Sequence, residues 1–305
     1  MVIAIFGRTI QRESLGELSL FVNELKSVDA LELIVYEPFF NVIKEIASNE
    51  PMGSSIIDFF SKFPLFTSHL DLPEKVDLFF SLGGDGTFLS SLPFIRGKSI
   101  PIAGLNFGRL GFLTSSKIGK SEGNYEWFSN LLKGKFSLQS RPLLKLEYPD
   151  TPEDFYPFAL NEFAIQREGP AVLELNIKIN GIQVPKYVAD GVLISTATGS
   201  TAYSLSAGGP IIMPECSVMS LVPIAPHNLN IRPLVLSGDS IVDVSFTTRY
   251  DYASITADNR SFKIPNGANM RILRSEVGLN VVAPDINFMK ALSTKLFWGA
   301  DWRNL

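Results

Sequence analysis

Short apolar runs alternate with stretches of helical periodicity through the first third of the chain. Residues 2–6 and 31–36 read as strands. Residues 15–25 and 40–47 carry their apolar side chains three and four positions apart, as a helix with one buried face does. Two further apolar runs, 76–82 and 100–105, flank a segment at 87–94 that can open a helix. Strands and helices in alternation predict a parallel sheet with helices on both faces.

From about residue 143 the period shortens to two. Leu173, Leu175, Ile177 and Ile179 alternate with Glu174, Asn176, Lys178 and Asn180, and Asn180-Gly181 reads as the turn that follows. Val242, Val244 and Phe246 alternate with Asp243 and Ser245, while Ser237-Gly238-Asp239 and Pro265-Asn266-Gly267 mark further turns. Residues 158–166 read as one more strand. This half predicts an all-β, sandwich-like domain of two packed antiparallel sheets. The expected division is an α/β N-terminal domain over 1–118 and a β-rich domain over 119–285, with 115–124 as the crossover. A helix at 286–297 is expected to pack back on the first domain.

Composition narrows the function. A chain of 305 residues can bury the cores of two such domains. A net charge of −4, with both signs interspersed, argues against a nucleic-acid partner. The single cysteine, Cys216, excludes an intrachain disulfide, fits a reducing cytoplasm, and is expected to be a small buried side chain. No basic leader and no bilayer-length apolar run is present, so a cytoplasmic protein with no membrane partner is expected. With only His69 and His227 beside that cysteine, a nitrogen- or sulfur-ligated metal site is not expected. His227, in Ala225-Pro226-His227-Asn228, reads as a hydrogen-bonded turn residue. Any metal is expected to be Mg²⁺, held by carboxylates and substrate phosphates.

The candidate chemistry begins at Leu82-Gly83-Gly84-Asp85-Gly86-Thr87-Phe88-Leu89. A strand, a glycine turn and a helix start aim backbone N–H groups at one place, which favours phosphate. A carboxylate in a phosphate cradle repels its ligand unless it binds a cation or accepts a proton from a hydroxyl under attack. The bland alternative is a tight turn with Asp85 as a cap. The look-alikes Gly97-Lys98-Ser99 and Gly119-Lys120-Ser121 fail as P-loops, because Leu92 and Thr114 stand where the motif needs glycine. No G-x-G-x-x-G follows the first strand, so an ordinary Rossmann cofactor site has no support.

A second cluster runs from Ala189-Asp190-Gly191 through Thr196-Ala197-Thr198-Gly199-Ser200-Thr201-Ala202-Tyr203 to Ser206 and Pro210. Ser200 as a helix cap accounts for part of it. The density of Gly, Ser and Thr suits the close approach of a polar ligand, and Tyr203 offers both a ring face and a hydroxyl. Asn161-Glu162 sets two polar side chains in an apolar context. Neighbours on a strand face opposite ways, so both reach one ligand only at a bulge or strand end.

In combination these segments resemble the NAD kinase family. Gly83-Gly84-Asp85-Gly86-Thr87, Gly108-Arg109-Leu110-Gly111-Phe112-Leu113-Thr114, Asn161-Glu162 and Gly199-Ser200-Thr201-Ala202-Tyr203 occur in order. So do Ala225-Pro226-His227-Asn228-Leu229, Arg232-Pro233-Leu234 and the tail Trp298-Gly299-Ala300-Asp301-Trp302-Arg303. The resemblance implies an NAD kinase-like fold. It also implies Mg²⁺-dependent transfer of a phosphoryl group from ATP to the 2′-hydroxyl of the adenosine ribose of NAD. Asp85 would be the catalytic aspartate, and Gly84, Gly86 and Thr87 the phosphate turn. Asn161, Glu162, Asp190, Thr201, Ala202, Tyr203 and Ser206 would hold the dinucleotide, with no protein-held metal. The family's binding segment can lie near a subunit interface, which implies a homodimer or homotetramer with Tyr203 near the contact. One departure is local: Asp258-Asn259-Arg260 stands where many relatives read Asp-Gly-Gln. Two rival readings share parts of the pattern. A kinase for a sugar-phosphate hydroxyl would need arginine grips, which residues 196–210 lack, and a dinucleotide sensor without turnover would have no use for Asp85.

Overall fold

The computed structural model describes residues 1–28, 30–96, 98–108, 111–114, 116–118, 122–284 and 287–299, with backbone alone at 117 and 122–125. Arg109, Leu110, part of the 115–124 crossover and the tail from Ala300 lie outside the described residues. The chain divides into two compact units, Met1–Ser140 with Leu279–Leu305, and Arg141–Gly278.

The first unit opens with β1 (Val2–Gly7), α1 (Leu15–Lys26), β2 (Glu32–Tyr36), α2 (Glu37–Ala47) and α3 (Gly53–Phe60). Then come β3 (Leu65–Phe66), β4 (Leu78–Leu82), α4 (Asp85–Ser91), β5 (Ile102–Asn106), β6 (Ser116–Lys117), α5 (Glu122–Leu132) and β7 (Leu138–Arg141). β1 pairs in parallel with β2 on one side and β4 on the other, and β4 pairs in parallel with β5. The strand period of two divides the core. Ile3, Ile5, Leu33, Val35, Leu78, Phe80 and Leu82 pack against Leu18, Phe21, Phe39, Ile43 and Phe60 of α1–α3. On the opposite face Phe6 and Phe79 join Tyr36, Phe66 and Phe94 in one aromatic cluster, with ring centres 4.6–6.3 Å apart. The helix expected at 87–94 starts two residues earlier, because the Gly84 carbonyl already accepts from the Thr87 and Phe88 amides.

The second unit is antiparallel throughout its described pairings. Its elements are β8 (Leu144–Glu147), β9 (Phe158–Ala159), β10 (Glu162–Arg167), β11 (Leu173–Ile179), β12 (Ile182–Gln183), β13 (Tyr187–Ala189) and β14 (Gly191–Thr196). The short α6 (Tyr203–Ser206) precedes β15 (Val218–Ile224), β16 (Leu234–Ser237), β17 (Val242–Thr247), β18 (Tyr252–Ala257), β19 (Arg260–Pro265) and β20 (Asn269–Arg274). One sheet runs β16-β15-β14-β10-β18-β19 and the other β12-β11-β17-β20-β8-β9, with β13 beside β11. Phe163, Ile165, Val192, Ile194, Ile255 and Ile264 from the first sheet share a core with Leu146, Leu175, Ile177, Val244, Phe246 and Ile272 from the second. The single strand expected at 158–166 is two. β9 pairs with β8 in one sheet and β10 with β14 and β18 in the other, so the chain changes sheets at Leu160-Asn161. A corner of a sandwich is where such a switch occurs.

β21 (Leu279–Val282) and α7 (Phe288–Leu296) complete the first unit. The sheet there runs β3-β2-β1-β4-β5-β21-β7, with β6 beside β5. Asn287 caps α7 by accepting from the Lys290 amide at 2.9 Å. Among the described residues no helix is long and apolar enough to cross a membrane. Cys216 is exposed, against the expectation of burial, because it lies in the loop that leads into β15 rather than in a core strand.

Candidate active site

The glycine turn leaves the carboxyl end of β4 beside the end of β1, where Gly7 pairs with Leu82. The chain departs to β2 on one side of β1 and to β5 beyond β4 on the other. Such a switch point is where an open α/β sheet leaves a crevice for ligands. Gly83 sits at φ +147, and a Cβ there would come within 2.5 Å of Thr87 Oγ1, so this position requires glycine. Gly84 is extended and opens α4, and a Cβ at Gly86 would meet no atom within 4 Å.

Asp85 does not cap its own helix. Oδ2 accepts from the Phe112 amide at 2.7 Å, and Oδ1 accepts from the Leu113 and Thr114 amides at 3.0 and 3.3 Å. A Cβ at Gly111 would overlap the Asp85 carboxylate, so a glycine there lets loop and acid meet. Gly111-Phe112-Leu113-Thr114 thus acts as the holder of Asp85. Lys295 on α7 belongs to the same neighbourhood, and sequence reasoning missed it. Its ammonium lies 4.5 Å from the centre of the Phe112 ring, and the ring of Phe112 lies 6.2 Å from that of Phe288. Burial lowers the Lys295 pKa, and the charge of Asp85 opposes that shift. No local signal marks Lys295, which stands 210 positions from Asp85 in one chain.

In the second unit the sheet switch places Asn161 and Glu162 at a strand end, the geometry in which neighbours can serve one ligand. Neither is a solvated edge residue, for they are 6% and 7% exposed. Asn161 Oδ1 and Glu162 Oε2 are buried and have no partner among the described residues. Buried polar atoms without a partner are rare and mark a ligand, a water or a strained site. Burial pushes the Glu162 carboxyl up to about 8, helped by the charge of Asp258 and opposed by the Tyr203 amide, which donates to it.

The backbone around the pair is tied from both sides. Thr196 N and Ser195 Oγ donate to the Asn161 carbonyl at 2.9 and 3.2 Å, and Thr196 Oγ1 donates to the Leu160 carbonyl at 2.6 Å. A Cβ at Gly199 would overlap that Asn161 carbonyl, which explains the glycine amid hydroxyl residues. Ser200 is not a cap. Its Oγ donates to the Ile212 carbonyl at 3.1 Å and accepts from the Ile212 amide at 3.0 Å. Thr198 Oγ1 and Ser204 Oγ are buried without a partner among the described residues.

Tyr203 is 38% exposed, and its hydroxyl accepts from Gln166 Nε2 at 2.9 Å. Thr201 and Ala202 are half-buried and Ser206 exposed on the same turn. Asp190 is set apart from Asn161 and Glu162. Glu162 faces Ser195 and Gln166 faces Gly191, so Asp190 belongs to the far end of the β10–β14 ladder, about 13–16 Å away at the strand rise. There Arg167 engages it, with Nε 2.6 Å from Oδ1. His227 is exposed in a loop, and its amide donates to the Val188 carbonyl at 2.7 Å.

The Asp258-Asn259-Arg260 departure forms the β18–β19 turn, with Asp258 left-handed at φ +54. The Asp258 side chain is buried, and it accepts from the amides of Leu160, Asn161 and Glu162 at 3.0, 2.8 and 3.3 Å. A buried acid thus braces the segment that carries the candidate pair. Sequence reasoning marked Asp258 only as part of an odd turn.

The chain is an α/β unit with an acidic glycine turn at its switch point, followed in sequence by an antiparallel sandwich with polar groups that are buried and unpartnered among the described residues. Residues 66–135 match the ATP-NAD kinase N-terminal domain, and 160–283 match the ATP-NAD kinase C-terminal domain. The NAD kinase of Flavobacterium psychrophilum is 34% identical over 312 residues, with all of both chains covered. That of Christiangramia forsetii is 35% identical over 285 residues, 92% of each chain. The chain belongs to the NAD kinase family. Two solved structures share the fold. Yeast NADH kinase complexed with NADH superposes with a TM-score of 0.79 at 24% identity, covering all of this chain and 90% of that one. An NAD kinase from Archaeoglobus fulgidus in complex with ATP gives 0.65 at 23% identity, covering 92% and 93%.

Proposed function

We propose that the chain transfers a phosphoryl group from ATP to the 2′-hydroxyl of the adenosine ribose of NAD, giving NADP. In this reading the first unit is the phosphate-handling domain and the second holds the dinucleotide. The observation that carries it is the buried pair of unpartnered acceptors, Asn161 Oδ1 and Glu162 Oε2, at a braced strand end. Ribose hydroxyls are donors that satisfy such acceptors.

Asp85 accepts the proton as the ribose oxygen attacks. Its Oδ2 has one described donor, the Phe112 amide, which leaves a lone pair for the hydroxyl. Proton transfer accompanies bonding to phosphorus, which makes the attacking hydroxyl acidic. Gly84, Gly86 and Thr87 offer close approach to the phosphates, and Lys295 adds positive charge beside them.

Among the described residues no three His, Cys, Asp or Glu side chains come together as a metal cage. Mg²⁺ enters with ATP as part of the substrate, where it neutralises phosphate oxygens. Self-association near Tyr203 is part of the proposal, supported by an exposed aromatic on a small-residue turn. Light scattering that finds a monomer with full specific activity on dilution would remove it. A cytoplasmic location is also proposed, supported by the single cysteine, which is free. Recovery of the protein in the membrane or extracellular fraction would contradict it.

The test of the reaction is incubation with NAD and Mg-ATP, read by an NADP-specific dehydrogenase. The folded protein should make NADP, and Asp85→Asn should lower kcat by about 10²–10⁴-fold while NAD still binds. A folded protein that yields no NADP would overturn the proposal, and near-normal turnover in Asp85→Asn would move the base elsewhere.

A further inference from the structure

Arg260 follows the Asp258-Asn259 turn and opens β19. It is a mostly buried cation whose guanidinium donates to the Phe158 carbonyl at 2.6 Å and lies 3.6 Å from Asp258 Oδ2. It also lies 5.5 Å from the centre of the Tyr156 ring. Asp258 in turn holds the amides of Leu160, Asn161 and Glu162. Burial raises the Asp258 pKa, and Arg260 together with the three amides opposes that shift by favouring the anion. A proton on it would face N–H groups on both oxygens.

We propose that Arg260 is a positioning residue for the dinucleotide: through Asp258 it holds Asn161 and Glu162 in place and balances the charge around Glu162. The inference rests on the reading of these two residues as NAD contacts. Two buried acids close together cannot both ionise cheaply, and a cation beside one of them is what allows it. Glutamine could replace the hydrogen bond to the Phe158 carbonyl but not the charge.

The groups that act on Glu162 can be named element by element. The turn after β18 contributes Asp258, and α6 contributes the Tyr203 amide. Ser195 stands opposite on β14 and is neutral. Arg260 on β19 acts through Asp258. Without Arg260, the unbalanced Asp258 charge raises the pH at which Glu162 ionises. Ribose hydroxyls donate best to a carboxylate, so NAD affinity should rise with pH as Glu162 ionises.

The experiment is calorimetric titration of NAD, without ATP, into the full-length protein between pH 6 and 9. It compares the unsubstituted chain with Arg260→Gln, Arg260→Lys and Glu162→Gln, each with its melting temperature. Arg260→Gln should move the affinity midpoint upward by about half a pH unit or more, which weakens NAD roughly threefold at pH 7.5. Arg260→Lys keeps the charge and should keep the midpoint. An unmoved midpoint in Arg260→Gln, with a lowered melting temperature, would make Arg260 a structural plug and overturn the inference. If Arg260→Gln does not fold, Arg260→Lys decides, and a displaced midpoint in that variant overturns the inference equally. NAD binding by Glu162→Gln equal to that of the unsubstituted chain at every pH would instead strike the underlying reading of Glu162, which separates the two failures.

Discussion

Glu162→Gln should stabilise the ligand-free protein at alkaline pH and weaken its hold on NAD. The carboxyl titrates near 4.5 in an unfolded chain, and burial beside Asp258 pushes it up to about 8 in the folded one. Between those values the unfolded state releases a proton that the folded state keeps. Stability from this group is therefore complete below pH 4.5 and is lost as pH rises through 8. About 1.4 kcal/mol per pH unit across that window caps the loss at about 5 kcal/mol, and structural relaxation brings the expected figure to about 2–5. Glutamine has the same shape and no charge to desolvate. The variant should match the unsubstituted chain near pH 5 and exceed it by that amount near pH 8.5. Urea unfolding at a series of pH values reads this as a midpoint difference that grows with pH at constant slope. NAD binding should move the other way above pH 8, weakening by roughly 5- to 13-fold, because glutamine still accepts a hydrogen bond but without the charge that strengthens it. More stable and weaker binding is the signature of a carboxylate kept for its ligand. A stability difference that stays flat from pH 5 to 8.5 would refute the burial argument. Lower stability with unchanged NAD affinity would make the pair structural.

Two other outcomes follow from the first unit. Gly111→Ala should drive the Asp85 carboxylate off its three amides, because the new methyl overlaps it. A loss of about 1–3 kcal/mol by thermal melting, together with a fall in kcat, is expected, and a variant with unchanged melting and turnover would contradict it. Lys295→Met keeps the apolar stem over Phe112 and removes the charge beside Asp85. KM for ATP should rise about tenfold, equivalent to about 1.4 kcal/mol, while KM for NAD moves far less. Steady-state kinetics with each substrate varied in turn reads the split, and equal changes in both constants would remove Lys295 from the phosphate side.

Local pattern determined a good deal about this protein. The change from helical spacing to a period of two separates the parallel sheet of the first unit from the antiparallel sheets of the second, because which side chains share a face depends only on near neighbours. The same holds for the turn Gly83-Gly84-Asp85-Gly86-Thr87, whose strand-to-helix geometry is written in consecutive residues. Contacts between distant segments were decided by the tertiary structure alone. Asp85 reads as a helix cap or a bare catalytic acid until the fold brings the Phe112–Thr114 amides to it, 27–29 positions along the chain. The run 158–166 looks like one strand because apolar periodicity continues across Leu160-Asn161, and only pairing to β8 on one side and β14 on the other splits it. Asp258-Asn259-Arg260 appeared as a departure from a pattern. The fold turned it into the brace of Asn161 and Glu162 from 96–98 positions away. Hydrogen bonds of that kind follow strand register and sheet order, which long-range packing sets and which no window of neighbouring residues contains.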